Sequence, residues 1–490
     1  MVEEKGKGTY NVVVIGAGTA GLVTAAGTVG LGGRVALIER HKMGGDCLNY
    51  GCVPSKALIA SARAIEHIRQ GRKWGLEPQQ PQFEFTRVFE RMRERRAAIE
   101  PNDSRERFEG LGVDIFSGEA RFISPNEVVI DGDTTLRAKH FVIATGRRAG
   151  IPPIEGIDGV PYFTNETIFD HLNEKPRRMV VIGGGPIGCE LSQAFSRLGV
   201  RVTVVEFLPR IMVKEDPDVA AFMRKQLEAE GIRVLTGATA KRAQVRDGQI
   251  HLEVLQKTPG NGEGETLQAR ALLIAAGRIP NVESLNLDAA GVRFNAQGIE
   301  VNNYLQTSQP HIYAAGDVVG PYQFTHMADA QARVVIRNIL MPFQALRQKV
   351  DYSVVPWCTY TSPEVARVGL SETEAGEQQI AYDLFTQPLG DMDRAIVESK
   401  EAGFAKVLTE KGSDRILGVT LVSEHAGDLL HEFVLAMGQN IGLGAIASTV
   451  HAYPTFAELA RKVGDQYNRT RLTPRVKSIF RWLYRKRRGV

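Results

Sequence analysis

At 490 residues, with 43% hydrophobic and 24% charged side chains, the chain is too long for one core and has the balance of a globular protein of two to four domains. It carries no uninterrupted apolar run of bilayer-spanning length, and its opening, MVEEKGKGTYNVVVIGAG, lacks the basic, apolar and cleavage regions of a secretory signal; a cytoplasmic protein is expected and an integral membrane protein is not. The net charge of +4 is owed to the end of the chain, where Arg475, Lys477, Arg481, Arg485, Lys486, Arg487 and Arg488 stand without an acid and leave the rest slightly acidic.

The first element to be read is YNVVVIGAGTAGLVTAAGTVGLGGRVALIER: a buried strand, a glycine turn, a helix with small residues toward the sheet, and a second strand ending in an acid. Gly16, Gly18 and Gly21 form G-x-G-x-x-G, and Glu39 follows 23 residues after the first glycine. The first glycine permits the tight turn, the second admits a pyrophosphate to the helix N-terminus, the third lets helix and strand approach, and the acid suits a ribose 2′-hydroxyl.

Next comes GGDCLNYGCVPSKAL, which holds two of the four cysteines, Cys47 and Cys52. A helix over PSKALIASARAIEHIRQ makes Pro54 a first-turn residue and sets Cys52 just outside the N-terminus, where the helix dipole favours a thiolate. Residues five apart on a regular helix are too distant for a disulfide, so linking Cys47 to Cys52 requires a distorted turn that Gly51 can supply. A metal site lacks further soft ligands, since Cys189 and Cys358 are remote and His41 and His67 lack ligand spacing. Two inert buried thiols are the other alternative; the glycines and the helix start favour a redox pair.

Farther on, RRMVVIGGGPIGCELSQAFSRLGVRVTVVEF repeats the first unit, with Gly183, Gly185 and Gly188 and with Glu206 again 23 residues after the first glycine. Two fingerprints, each after an apolar strand and each with its acid, predict two bound dinucleotides. Glu206 favours NADH over NADPH, because a carboxylate repels a 2′-phosphate and the nearest arginine is Arg210. A hydride donor beside a second dinucleotide points to FAD as the two-electron acceptor. In TSQPHIYAAGDVVG a strand runs into Gly316 and Asp317, an aspartate that can meet a ribityl hydroxyl or, taken alone, equally serve as a turn residue. In the tail, Val476, Ile479, Phe480 and Leu483 recur at helical spacing beside Trp482 and Tyr484, the composition of an interfacial helix on an anionic surface; the alternative is a helix packed on its own domain.

Together GGDCLNYGCVPSK, the paired fingerprints, VIATGRRAG, LLIAAGRIPN, YAAGDV and HAYPTFAEL resemble the class I pyridine nucleotide–disulfide oxidoreductases, the family of dihydrolipoyl dehydrogenase, glutathione reductase and mercuric reductase, over roughly residues 10 to 470. The resemblance implies an α/β fold with two Rossmann-like dinucleotide-binding domains and a C-terminal α+β dimerisation domain. Its expected segments are 1–150 and 280–350 for FAD, 151–279 for NAD, 351–470 for dimerisation and 471–490 as a basic tail. It makes Cys52 the flavin-proximal thiol, Cys47 the interchange thiol, Lys56 and Glu190 an ion pair near the flavin and Asp317 the ribityl aspartate. It adds Gly45, Thr145, Gly146, Gly277 and Gly316 to the cofactor-binding set and brings His326 near the flavin.

One motif departs from the family. Its disulfide reductases end in His-Pro-Thr-x-x-Glu, whose histidine protonates the leaving thiolate across the dimer interface, whereas here Tyr453-Pro454-Thr455 leads to Glu458. A phenol is a poor reversible proton shuttle near neutrality, and His451, two residues earlier on extended backbone, is displaced by about 6.6 Å. Tyrosine in this slot resembles mercuric reductase, although that group's C-terminal cysteine pair is missing. The expected enzyme is a homodimer that passes electrons from NADH through FAD to the Cys47–Cys52 disulfide. The acceptor is a dihydrolipoyl-type disulfide or a soft metal ion such as mercuric ion. Alternatives are a membrane-associated NADH:quinone-type dehydrogenase on the inner membrane face and a non-catalytic redox sensor; no structural metal and no nucleic acid are expected.

Overall fold

The computed structural model describes residue 6 and residues 8–256 and 263–488, so most of the MVEEKGK opening and the last two residues of the tail lie outside the described residues. The chain forms two compact units. The first comprises the chain through Ile65, Gln82–Ile211 and Leu227–Asp351, and the second comprises Glu66–Pro81, Met212–Gln226 and the chain from Tyr352 onward.

In the first unit, β1 (Thr9–Ile15), α1 (Thr19–Gly30), β2 (Val35–Glu39), the short α2 (Gly45–Asn49) and α3 (Cys52–Arg69) lead to β3 (Asp114–Ser117), β4 (Ala120–Ser124), β5 (Glu127–Ile130) and β6 (Thr134–Ile143). The sheet order is β3-β2-β1-β6-β5-β4. β1 is parallel to both β2 and β6, which explains why Val12, Val13, Val14 and Ile15 are all apolar: a central parallel strand is covered on both faces.

The second fingerprint folds the same way. β7 (Arg178–Ile182), α4 (Pro186–Arg197), β8 (Arg201–Glu206), β9 (Arg233–Thr236) and β10 (Ala271–Ile274) form a parallel sheet of order β9-β8-β7-β10. Each half also carries an antiparallel excursion, β4-β5-β6 in one and the strands Ala238–Arg246, Gln249–Gln256 and Glu263–Ala269 in the other. The chain then returns to the first sheet with β11 (Ile312–Ala314), parallel to the end of β6, and enters α5 (Thr325–Leu340). Gly316 and Asp317 follow β11 directly, at the carboxyl edge of the sheet where such folds bind ligands.

The second unit is built on a five-stranded antiparallel sheet of β12 (Pro356–Thr359), β13 (Glu364–Gly369), β14 (Tyr382–Pro388), β15 (Phe404–Glu410) and β16 (Ile416–Ser423), in the order β12-β13-β16-β15-β14. Its core includes Val407, Val419 and Leu421 from the sheet, Leu430 and Phe433 from α6 (Ala426–Gly438), and Leu459 and Val463 from α7 (Glu458–Thr470). Residues Met212–Gln226, expected within the NAD segment, group here through buried ion pairs. Arg367, 1% exposed, bonds Glu374 at 2.7 Å and Glu215 at 3.3 Å and lies 4.3 Å over the Trp357 ring. Lys406, 2% exposed, bonds Asp216 at 3.1 Å and Asp218 at 2.9 Å and also bonds Glu372. Among the described residues these last three acids are the one grouping with metal-ligand proximity, and the Lys406 ammonium bonds all three. The chain ends in α8 (Pro474–Arg487).

Candidate active site

The thiols are positioned by a break between two helices. Gly44 and Gly45 take positive φ of 83° and 57°, α2 carries Cys47, and the backbone breaks at Tyr50 and Gly51 before α3 begins at Cys52. One expectation needs correction: Cys52 is the first residue of α3 rather than a residue outside it. The break at Tyr50 and Gly51 lies where a turn between the cysteines was expected, and it leaves Cys47 on its own short helix.

Cys47 and Cys52 stand as a dithiol that shares a hydrogen bond, Cys47 half-buried and Cys52 exposed. The hydrogen bond from Cys47, aided by the Thr325 hydroxyl and by the Lys56 ammonium, brings the Cys52 thiol down to about 6 against the cost of burial. The same shared bond and burial push Cys47 up. Thr325 Oγ1 lies 3.4 Å from Cys52 Sγ and is the first residue of α5, so the N-termini of α3 and α5 both meet this sulfur. One thiolate and one thiol at neutral pH is the form in which a dithiol attacks or binds a soft electrophile. Lys56, one turn into α3, bonds Glu190 of α4 at 2.8 Å; Glu190 is 5% exposed.

The glycines divide into two kinds. Gly16 and Gly183 have φ of 104° and 109°, and a Cβ on either would meet the Ala144 or Ala275 carbonyl oxygen at 2.4 Å. A Cβ on Gly21 or Gly188 would lie 1.8 or 1.9 Å from the oxygen of the first glycine, which shows how closely helix and turn pack. Gly18 and Gly185 differ: their φ values are −78° and −74°, the nearest atom to a Cβ at Gly18 is 3.9 Å away, and Gly185 would meet nothing within 4 Å. Neither conformation nor packing demands glycine at the second position, so the requirement comes from outside the chain, and a pyrophosphate at the helix N-terminus fits it. The acids close both turns: Glu39 accepts from the N–H of Ala17 and of His41, each at 2.7 Å, and Glu206 from Gly184 at 2.5 Å and Leu208 at 2.7 Å. A cleft beside the first turn is lined by Gly16, Glu39, Arg40, Gly118, Thr145 and Asn281.

Several residues that the local pattern left unmarked hold this region together. Arg278 reaches Asp46 at 3.1 Å and Asp317 at 3.4 Å, joining the residue before Cys47 to the expected ribityl aspartate. Burial pushes the Asp317 carboxyl up despite Arg278. Gln331, fully buried on α5, accepts from Gly316 N–H at 2.7 Å. Thr145 Oγ1 donates to the Asn281 carbonyl at 2.7 Å while Asn281 Nδ2 donates to the Thr145 carbonyl at 2.9 Å, clasping the two crossing segments beside Gly146. Gly277, φ 128°, begins the second of them. The pairing of GR with PN in LLIAAGRIPN was the available signal for Arg278 and Asn281; for Thr325 and Gln331 there was none. Cys189 is buried with its thiol 3.3 Å from the Gly184 carbonyl, and Cys358 packs against the second unit's core.

In the second unit the expected acid–base residues bond to separate partners, although the Glu458 carboxylate also acts on the Tyr453 phenol. Tyr453, 69% exposed, donates to Asp393 at 2.8 Å, and that bond raises the phenol further. His451 faces the Thr449 carbonyl with Nδ1 at 2.9 Å and Glu432 with Nε2 at 3.0 Å. Glu458 pairs with Arg461 at 3.0 Å. The three residues thus have three different partners.

The chain matches the family description "Pyridine nucleotide-disulphide oxidoreductase" over residues 10–332 and that family's dimerisation domain over residues 355–463. It is 34% identical over 462 residues to a mercuric reductase of Bacillus cereus, covering 93% of this chain and 71% of that one. A dihydrolipoyl dehydrogenase of Chlamydia muridarum is 34% identical over 458 residues, covering 92% of this chain and 95% of that one. The solved HOCl-induced flavoprotein disulfide reductase RclA of Escherichia coli superposes with a TM-score of 0.83 at 26% identity, over 93% of this chain and 99% of that one. The protein belongs to the pyridine nucleotide–disulfide oxidoreductase family: it is a flavin-dependent oxidoreductase of the class that reduces disulfides or metal ions, with FAD and a nicotinamide nucleotide as cofactors and a dimerisation domain.

Proposed function

We propose that the protein uses NADH to reduce a soft, thiophilic metal ion at the Cys47/Cys52 dithiol. FAD, when bound, supplies the two-electron relay between nicotinamide and thiols. Gly18 and Gly185 leave room for the two pyrophosphates, and the Glu206 carboxylate at the second turn favours a free ribose 2′-hydroxyl, hence NADH. Cys52 is held as the thiolate by Cys47, Thr325 and Lys56, and Glu190 fixes the lysine. The thiolate and thiol capture the cation through both sulfurs and lose one proton and two electrons as they close to the disulfide, while the divalent cation becomes the neutral metal. The hydride of NADH then restores one thiol and one thiolate. The balance is one NADH and one divalent ion consumed, one NAD+, one metal atom and one proton formed.

The observation that carries this choice of acceptor is Tyr453 in the histidine slot, whose bond to Asp393 raises its pKa and makes the phenol a weaker acid. A disulfide acceptor releases a thiolate that has to be protonated, and metal reduction has no such step. The test is anaerobic titration with NADH under visible absorbance, followed by steady-state assays with mercuric ion, cupric ion, lipoamide and quinones. A long-wavelength band at two electrons, absent in Cys52→Ser, with metal-ion turnover well above disulfide and quinone turnover, is the expected result. Flavin bleaching without the band would place the thiols outside the electron path, and faster lipoamide or quinone turnover would overturn the acceptor.

A further inference from the structure

The C-terminal helix α8 lies outside the matched family domains, which end at residue 463, and none of its residues is buried. Thr473 caps it, its side chain accepting from Val476 N–H at 3.3 Å, and Pro474 opens it, so the helix has its own start signals and does not lean on a neighbour for them. That outcome speaks against the alternative in which its apolar residues pack on their own domain: Ile479, Phe480 and Leu483 are 58%, 49% and 40% exposed, Trp482 and Tyr484 59% and 66%, and Val476 alone is half-buried. At about 100° per residue, Val476, Ile479, Phe480 and Leu483 fall within an arc of about 100°. Arg481 and Arg485 project from the opposite side, and Trp482 and Tyr484 sit at the two borders. Among the described residues none of the helix's basic side chains is paired with a carboxylate.

We propose that α8 docks along an anionic lipid surface, with the Val476/Ile479/Phe480/Leu483 stripe entering the acyl boundary, Trp482 and Tyr484 at headgroup level and the basic residues on the lipid phosphates. Charge and shape select this occupant. A second copy of the helix would bring two uniformly basic segments together. Nucleic acid would use the basic side and leave the apolar stripe in water. A bilayer carrying phosphatidylglycerol satisfies both faces at once, and the long side chains of Lys486, at the edge of the stripe, and Arg487, within its arc one turn past Leu483, can reach out to the headgroups. The proposal is independent of the electron acceptor.

The full-length holoenzyme is to be sedimented with vesicles of phosphatidylcholine alone and of phosphatidylcholine mixed with phosphatidylglycerol, at low and high salt. Binding to the mixed vesicles is expected to be about tenfold or more tighter than to neutral ones and to weaken with salt. Two double variants, Phe480→Glu with Leu483→Glu and Arg481→Glu with Arg485→Glu, should each lose about tenfold or more while NADH-linked turnover is unchanged. A blue shift of tryptophan emission on binding should vanish in Trp482→Phe. Equal affinity for both vesicles, or loss in the charge variant alone, would overturn the proposal. So would tighter binding to duplex DNA than to mixed vesicles, or a particle size in lipid-free solution that falls in the apolar variant.

Discussion

The two corners that serve sulfur chemistry in this family are built to different standards here. Around Cys52 the Cys47 thiol, the Thr325 hydroxyl, the Lys56 ammonium and two helix N-termini together stabilise negative charge on one sulfur and outweigh burial and the Asp46 carboxylate. Around Tyr453 no such convergence exists, for the phenol goes to Asp393, the nearby imidazole to Glu432 and Glu458 to Arg461. On the function proposed above, poised thiols and a tyrosine in the histidine slot suit an acceptor that takes electrons without needing a proton in return.

That contrast can be broken from either side. Cys52→Ser should remove turnover with every acceptor and with it the long-wavelength band; surviving metal-ion reduction would show that the poised corner is not used. Tyr453→His should raise lipoamide-disulfide turnover by roughly 100-fold while leaving metal-ion turnover within about twofold, since a placed general acid contributes about 100- to 10,000-fold. No gain would mean that the slot is not what limits disulfide reduction.

The glycine contrast allows a paired test. Gly188→Ala forces a Cβ to 1.9 Å from a backbone oxygen and should cost about 2 kcal/mol or more in chemical denaturation, whereas Gly185→Ala meets no atom and should cost about 1 kcal/mol or less. If the second glycine answers to a pyrophosphate, Gly185→Ala should nonetheless weaken NADH binding by calorimetry at least as much as Gly188→Ala does. Smallest, Thr325→Ala removes one hydrogen bond to the thiolate and should raise the pH midpoint of Cys52 alkylation in the reduced enzyme, from about 6, by about one unit. Below the midpoint the thiol is protonated and alkylation slows; an unmoved midpoint would assign the low value to Cys47 and Lys56 alone.

Much of this was legible from local pattern. The two fingerprints predict two parallel sheets, and the sheets have the matching orders β3-β2-β1-β6 and β9-β8-β7-β10, because the glycine, small-residue and acid positions are set by contacts inside a single strand–turn–helix unit. Thr325 and Gln331 were not legible. Their partners, Cys52 and Gly316, are met only after α5 has been brought back across the first sheet, and a threonine or glutamine on a helix carries no mark of that. The ion pairs that tie Glu215 and Asp216 to strands of the second unit were not legible for a like reason: they are made by Arg367 and Lys406, charged residues on strands that are 1% and 2% exposed.

Gly45 has a consequence for anyone who would re-engineer this enzyme. A Cβ there would stand 2.6 Å from the Gly18 Cα, so the loop that carries the thiols and the loop that fits a pyrophosphate touch backbone to backbone with no side chain to cushion them. A shift in either loop is therefore passed to the other undamped. Transplanting the dithiol into a different nucleotide-binding scaffold, or widening the cofactor seat of this one, would have to move both loops as one rigid cassette.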